Sequence, residues 1–190
     1  MTLRAGLLIA VIGLLAAAGS RAEPGPPPEY PAMGTVQVAF PPWDDAEALV
    51  VAAIAAARRQ IFVQAFALTS GAVARALIAA KRRGVDVRLT ADREQTFSGE
   101  FTRIPDLAAA GVPIWLEVRY AAAHSKVMII DPDTREPVLI TGSYNWTWSA
   151  QHRNAENLLI VRRNRDLTRA YLENWERRRR EALRYGQGTR

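Results

Sequence analysis

A chain of 190 residues, 49% of them apolar, has the material for one domain with a sizeable core. Its formal charge of +6 favours polyanionic partners, nucleic acid or anionic lipid, and is equally compatible with a soluble surface rich in arginine. The absence of cysteine excludes a disulfide framework, a thiolate nucleophile and any cysteine-ligated zinc.

The first residues read as a targeting segment. Arg4 precedes a small and apolar run from Ala5 to Ala18, followed by Ser20-Arg21-Ala22, a small-x-small site. The expectation is a cleavable signal peptide over 1–22 and export to the periplasm or the medium. The run is shorter than the roughly 20 residues a spanning helix needs. Membrane association is therefore expected only if this segment is retained as an anchor. Without Arg4 and Arg21 the remainder still carries +4. Residues 23–34 include five prolines between Pro24 and Pro31 and read as a stiff linker, leaving 35–190 as the folded domain.

Within that domain Val36 to Phe40 alternates as a strand, closed by Pro41-Pro42. Asp44 or Asp45 caps a helix whose apolar stripe is Ala46, Leu49, Val50, Ala53, Ile54 and Ala57. Ile61 to Leu68 is a strand, and Thr69-Ser70 starts a second helix from Gly71 to Arg83 that Gly84 ends. Val85 to Thr90 is a strand. Ala91 to Arg103 is polar and irregular, a candidate loop over a site. A short helix from Ile104 to Ala110 leads to a strand at Val112–Glu117. Strands alternating with helices predict parallel βαβ units, hence an α/β fold: an α-β-α sandwich on a mixed, largely parallel sheet. The rhythm then changes to a hairpin, Lys126–Ile130 and Val138–Thr141 around the turn Asp131–Pro137. Asn157 to Val161 adds a strand and Asp166 to Arg184 a closing helix. Its Arg177–Arg180 run reads as a solvated helix end or, more sharply, a polyanion contact.

The chemistry concentrates in His124-Ser-Lys126-Val-Met-Ile-Ile-Asp131. Residues two apart on a strand share a face, so His124 and Lys126 point the same way. Titratable groups are costly in such a run unless something uses them. Asp131 lies at an odd offset from His124, which predicts that it avoids the reacting group and instead orders the turn or pairs with a base behind the sheet. Across the hairpin Thr141, Ser143 and Asn145 share one parity, and Gly142 permits close backbone approach. An imidazole and an ammonium beside a hydroxyl and an amide form a pocket of donors suited to a tetrahedral oxyanion, phosphate above all. Lysine is rare here: 23 of the 25 basic residues are arginine, yet the position two after His124 is a lysine. No His/Asp/Glu spacing resembles a metal site, so no metal and no cofactor is expected.

The pattern His124-x-Lys126-x-x-x-x-Asp131, with Gly142-Ser143-Tyr144-Asn145-Trp146-Thr147 and Asn154-Ala155-Glu156-Asn157, resembles the signature of the phospholipase D superfamily. It is most similar to the small single-motif bacterial endonucleases of that group. The resemblance covers about Val36 to Trp175. It implies a metal-independent phosphodiesterase working through a covalent phosphohistidine. His124 would be nucleophile or acid. Lys126, Ser143 and Asn145 would hold phosphate oxygens, and Glu156 matches a glutamate that orients the histidine. The mechanism needs two histidines, and the chain has only His124 and His152. His152 reads as a surface residue, so a homodimer is expected in which each subunit supplies His124.

The expected substrate is nucleic acid, DNA or RNA. Arg93, Arg103, Arg119 and Arg153 are candidates for a basic rim, and Tyr144, Trp146 and Trp148 are candidates to stack bases, although Trp146 and Trp148, which share a parity, fit core or dimer interface better. The alternatives are a phospholipase or phosphatidyl transferase using the same site, and a non-catalytic nucleic-acid-binding module.

Overall fold

A computed structural model of the chain describes residues 25–186. The expected signal peptide lies outside the described residues. Residues 25–34 form no helix or strand, and Asn164 Nδ2 donates to the Pro31 carbonyl (2.8 Å).

The first half of the domain alternates as its sequence predicts. Strand β1 (Thr35–Ala39) leads to helix α1 (Ala46–Ala56), where the Asp45 carboxylate accepts from the Ala48 amide (2.9 Å). Strand β2 (Gln60–Ala65) is followed by α2 (Gly71–Arg82), whose cap is Ser70, its hydroxyl accepting from the Val73 amide. Next come β3 (Asp86–Asp92), α3 (Arg93–Ser98), α4 (Ile104–Ala109) and β4 (Ile114–Glu117). The second half is β5 (Val127–Ile130), β6 (Val138–Gly142), α5 (Trp148–His152), β7 (Leu158–Arg162), α6 (Arg165–Glu181) and the two-residue β8 (Leu183–Arg184).

All eight strands form one sheet in the order β1-β7-β6-β5-β2-β3-β4-β8. The fold is α/β with a mixed sheet, as expected, but parallel pairing does not dominate. Only β2–β3 and β3–β4 are parallel. After Glu117 the chain has no long crossover helix until α6, and strands joined by short connections must pair antiparallel. Two further departures are local. Arg93–Ser98, expected to be irregular, is a helical turn capped by Asp92, which accepts from the Gln95 amide (2.9 Å). The closing helix stops at Glu181, because Leu183 and Arg184 pair with Leu116 and Trp115 at the sheet edge.

Alternation along the strands sorts side chains into two layers. Ile61, Val63, Met128 and Ile130 join Val50, Ile54, Val73 and Leu77 of α1 and α2 in the larger core. Phe62, Val127 and Ile129 face the other way, against Trp175 of α6. Each such fully buried aliphatic side chain stabilises the fold by roughly 1.5–3 kcal/mol. Trp175 is satisfied as well as buried, its Nε1 donating to the Val63 carbonyl (2.9 Å).

Candidate active site

The parallel strands β2, β3 and β4 end on the same side of the sheet, at Ala65, Asp92 and Glu117. That side, beyond the carboxyl ends of parallel strands, is where open α/β sheets present ligand-binding loops. His124 and Lys126 lie immediately before β5, which runs antiparallel to β2, so they arrive at the same end. Ser143 follows β6 there, and Glu156 and Asn157 precede β7.

His124 is exposed and Lys126 is buried, a division of labour the shared parity did not require. The Lys126 ammonium reaches back to its neighbour, 2.9 Å from His124 Nδ1 and 2.6 Å from the His124 carbonyl oxygen. An ammonium can only donate. Nδ1 therefore offers its lone pair, and the proton of the neutral ring sits on Nε2. One ammonium N–H remains for a ligand. Phe66 supports both groups: its ring lies 4.5 Å from the imidazole, centroid to centroid, and 4.8 Å from Lys126 Nζ. Burial lowers the Lys126 pKa below its usual 10.5, and the negative charge of Glu156 partly opposes this. That electrostatic coupling links the β5 side of the site to the β7 side.

On the β7 side Ser143 Oγ donates to Glu156 Oε2 (2.5 Å) and accepts from the Asn157 amide (3.0 Å). Asn154 Nδ2 holds the other oxygen, Glu156 Oε1, at 2.9 Å. Within the chain Glu156 thus orients Ser143 rather than His124, which differs from the role its motif position implied; both its oxygens are engaged by nearer donors. Gly142 has φ +146, and a Cβ there would stand 2.3 Å from the Asn157 carbonyl oxygen, so only glycine permits this close approach of β6 to β7. Asn145 is half-buried, with Oδ1 sealed from water and lacking a donor.

Asp131 is at the opposite end of β5. Its carboxylate accepts from three backbone amides at the junction of α1 and β2: Arg58 (2.8 Å), Arg59 (2.7 Å) and Gln60 (2.8 Å). Its backbone is left-handed (φ 49), which ends the strand, and its carbonyl receives the Thr134 amide and hydroxyl. The partners are amides rather than a base, and no bond connects Asp131 to His124.

Sequence reading missed a second support. Arg178 of α6 donates from Nε to the buried Glu117 carboxylate (2.5 Å) and from Nη1 to the hydroxyl of Ser125 (2.8 Å), the residue between His124 and Lys126. Strand alternation turns Ser125 toward α6 while its neighbours face the ligand side. Burial raises the Glu117 pKa, with the Arg178 charge and hydrogen bond opposing. Asp92 Oδ2 holds the same loop by accepting from the Ala123 amide (2.8 Å). One residue of the supposed solvated Arg177–Arg180 run therefore anchors the His-Lys segment. No spacing signal joins it to positions 53 and 61 residues earlier.

The aromatic and basic candidates divide. Tyr144 and Trp146 are fully buried, and Trp146 Nε1 donates to the Gln64 carbonyl (3.1 Å), so neither can stack a base. Trp148 lies on α5, 55% exposed, with the His152 ring tilted against it at 4.7 Å, centroid to centroid. Arg103 and Arg119 are paired with Asp106 (3.3 Å) and Glu181 (3.2 Å). Arg93 lies over Phe97 and Arg153 over Trp148. Among the described residues no cluster of three or more His, Asp or Glu side chains is placed to hold a metal.

Comparison with known proteins agrees with this geometry. The family described as "Cardiolipin synthase, PLD-like domain" matches residues 50–179. The chain belongs to the phospholipase D superfamily, a group of phosphodiesterases. A protein named phospholipase D from Rickettsia prowazekii (strain Madrid E) is 35% identical over 140 residues, 74% of this chain and 65% of that one. A mitochondrial cardiolipin hydrolase from Canis lupus familiaris is 32% identical over 155 residues, 81% of this chain and 58% of that one. The chain thus spans about three-fifths of the length of these relatives. Among solved structures, Nuc from Salmonella typhimurium, a phospholipase D family member, superposes with TM-score 0.74 at 31% identity, covering 80% of this chain and 97% of Nuc.

Proposed function

We propose that the chain hydrolyses phosphodiesters of nucleic acid through a phosphohistidine, in a site completed by a second copy of itself. The observation that carries this reading is the coupled His124–Lys126 pair, backed by Phe66 and opening beside Ser143. In the reaction, a free Nε2 lone pair attacks phosphorus and the bond to the leaving oxygen breaks. That oxygen takes a proton from a second histidine in its imidazolium form, which is left as a neutral imidazole. Water then gives this imidazole its proton and attacks phosphorus, the P–N bond breaks, and both rings return to their starting forms. Lys126 supplies positive charge to the phosphate oxygens, with Ser143 and Asn145 as the neighbouring polar contacts.

Two histidines are required, and His152, its ring tilted against Trp148, makes no contact with His124. A second copy supplies the missing ring. The Lys126–Nδ1 contact favours the neutral Nε2–H tautomer, which is neither a nucleophile at Nε2 nor the imidazolium acid, so the two identical half-sites must leave it during turnover, one for the neutral Nδ1–H ring and the other for the imidazolium. Arrival of a phosphate offers Lys126 a better acceptor than a ring nitrogen and frees Nδ1 to carry the proton.

The net charge of +6 supports nucleic acid as substrate, and the 1–22 segment supports export. One observation favours phospholipid instead: Trp43 is 87% exposed in the loop whose Pro41 carbonyl accepts from the Glu156 amide, next to the site. The deciding assay compares plasmid DNA, bis(p-nitrophenyl) phosphate and phosphatidylcholine vesicles, each with EDTA and with His124→Ala. The expected result is EDTA-resistant cleavage of DNA and of the small diester, abolished in the variant and absent on vesicles. An active, strictly monomeric species in sedimentation, or activity lost in EDTA and restored by magnesium, would overturn the mechanism.

A further inference from the structure

At the end of the sheet opposite His124 a cleft of about 810 Å³ opens between the α1–β2 junction, the β5–β6 turn and the start of α6. Arg58, Arg59, Arg135, Arg162, Arg163 and Arg165 line it. The distance from Lys126 to Asp131 along β5 is five residues, roughly 16 Å at strand rise, so this cleft is separate from the candidate active site. Of the six guanidiniums only Arg162 has a side-chain partner among the described residues, Gln37 at 3.4 Å. Several arginines elsewhere are engaged by carboxylates, Arg88, Arg103, Arg119, Arg178 and Arg179 among them. Three acidic groups face the cleft, Asp131, Asp133 and Glu136. The Asp131 oxygens are already taken by three amides, and neither Asp133 nor Glu136 reaches an arginine. The cleft therefore concentrates planar, bidentate donors, none of which is paired with a carboxylate among the described residues.

We infer that this cleft is a second polyanion site that grips the phosphodiester backbone of a nucleic acid away from the reaction centre. Guanidinium forks match phosphate oxygens, and arginine loses less on leaving water than an ammonium does. The walls decide between nucleic acid and an anionic membrane. None of the exposed large apolar side chains, Trp43, Phe101 and Trp148 included, lines the cleft; its apolar part is Ala52, Ala53, Ala56, Ile130 and Val138. A membrane-docking surface would offer a side chain to insert, whereas a backbone-tracking groove needs only charge and a recess. The inference deepens the nucleic-acid reading of the proposed function, but its binding test does not depend on turnover.

The test measures anisotropy of a fluorescein-labelled duplex of about 30 base pairs, titrated between about 50 and 200 mM salt with the His124→Ala chain so that nothing is cleaved. Into this background goes the triple Arg58→Ala, Arg135→Ala, Arg165→Ala. A control triple, Arg75→Ala, Arg82→Ala, Arg180→Ala, removes the same charge from exposed positions elsewhere. The cleft triple is expected to weaken binding at least about tenfold and to flatten the log–log salt slope by about two to three, close to 0.9 per lost phosphate contact. The control is expected to change the slope by less than about one. Equal effects of the two triples, or no effect of either, overturn the cleft. So does a cleft triple that loses binding to phosphatidylglycerol vesicles and keeps its affinity for duplex. All three cleft positions are exposed and unpaired, so the variant should melt with the parent; the corresponding triple to lysine, which keeps the charge, should keep most of the slope and fixes the reading if the alanine triple is unstable. With His124 intact, the cleft triple should turn over bis(p-nitrophenyl) phosphate at the parent rate. Failure of the parent itself on that diester would refute the proposed reaction and leave the binding result standing.

Discussion

Asp131 belongs to the His-x-Lys motif by sequence and to the scaffold by geometry, and Asp131→Asn separates the two. Asparagine is the informative change because, like aspartate, it tolerates the left-handed backbone at this position (φ 49), where alanine would add strain of its own. Its carbonyl can still accept from the Arg59 and Gln60 amides, but as a neutral rather than charged acceptor, costing roughly 0.5–1 kcal/mol for each bond. Its NH₂ group then points at the Arg58 amide, donor against donor, where the carboxylate now accepts at 2.8 Å. Leaving that amide unmade costs roughly 1–3 kcal/mol, toward the lower figure because Arg58 is exposed and water can reach it. The sum is roughly 2–4 kcal/mol, a sizeable part of the 5–15 kcal/mol of a typical domain. Urea unfolding should show a lower midpoint with an unchanged slope, and kcat measured well below the new melting temperature should stay within about threefold of the parent. A variant of unchanged stability whose kcat falls a hundredfold would refute this and place Asp131 in the reaction.

Gly142→Ala forces a Cβ to within 2.3 Å of the Asn157 carbonyl oxygen, so β6 and β7 must part at Ser143; kcat should drop at least about tenfold while the circular dichroism spectrum is retained. Arg178→Ala leaves the buried Glu117 carboxylate unpaired and releases Ser125, costing roughly 2–4 kcal/mol at neutral pH. Glu117 already has a pKa raised above 4.5 by burial, so burying its charge costs stability above its folded pKa, and that cost is absent below the unfolded value. Removing Arg178 raises it further. The variant's deficit in urea unfolding should therefore shrink from pH 7.5 to pH 5, and an equal deficit at both would refute the pairing. Burial lowers Lys126 below 10.5, so its positive charge is lost as pH rises through a value lower than that of an ordinary lysine. KM for a small diester should rise on the alkaline side before pH 10.5; a profile flat to that pH would show that the ammonium does not hold phosphate.

What the sequence made legible was whatever local chemistry decides. Asp45 and Ser70 cap helices because their side chains reach amides three residues on. Gly142 stands where two backbones meet, and His124 and Lys126 stand out because titratable groups are rare beside a buried run. The parity argument held along β5, where Met128 and Ile130 face one core and Val127 and Ile129 the other. It failed beyond β6, because strand geometry stops at Gly142: Trp146 turns into a bridge with Leu68 and enters the core, while Trp148 starts a helix and is exposed. The mixed α/β sheet is as expected, and only its share of parallel pairing is smaller, for a related reason. Alternating β and α elements up to Glu117 predict parallel neighbours, but a hairpin and short returns after that point fill five of the seven pairings with antiparallel contacts.

The supports of the site were invisible for a different reason. Phe66 looked like one more apolar strand residue, yet its position one residue past the end of β2 puts its ring under both Lys126 and His124. Arg178 sits in a run of four arginines whose composition says only "exposed helix end". What selects it is the register of α6 over β4 and β5, which brings its guanidinium to Glu117 and Ser125 while Arg177 turns to Asn174 and Arg179 to Glu176. Three of the four identical residues thus acquire different duties from a helical repeat of 3.6 residues laid against a particular sheet. Net charge could announce that arginine matters in this protein. Only the fold separates the guanidinium that braces the His-Lys segment from those left unpaired around the far cleft.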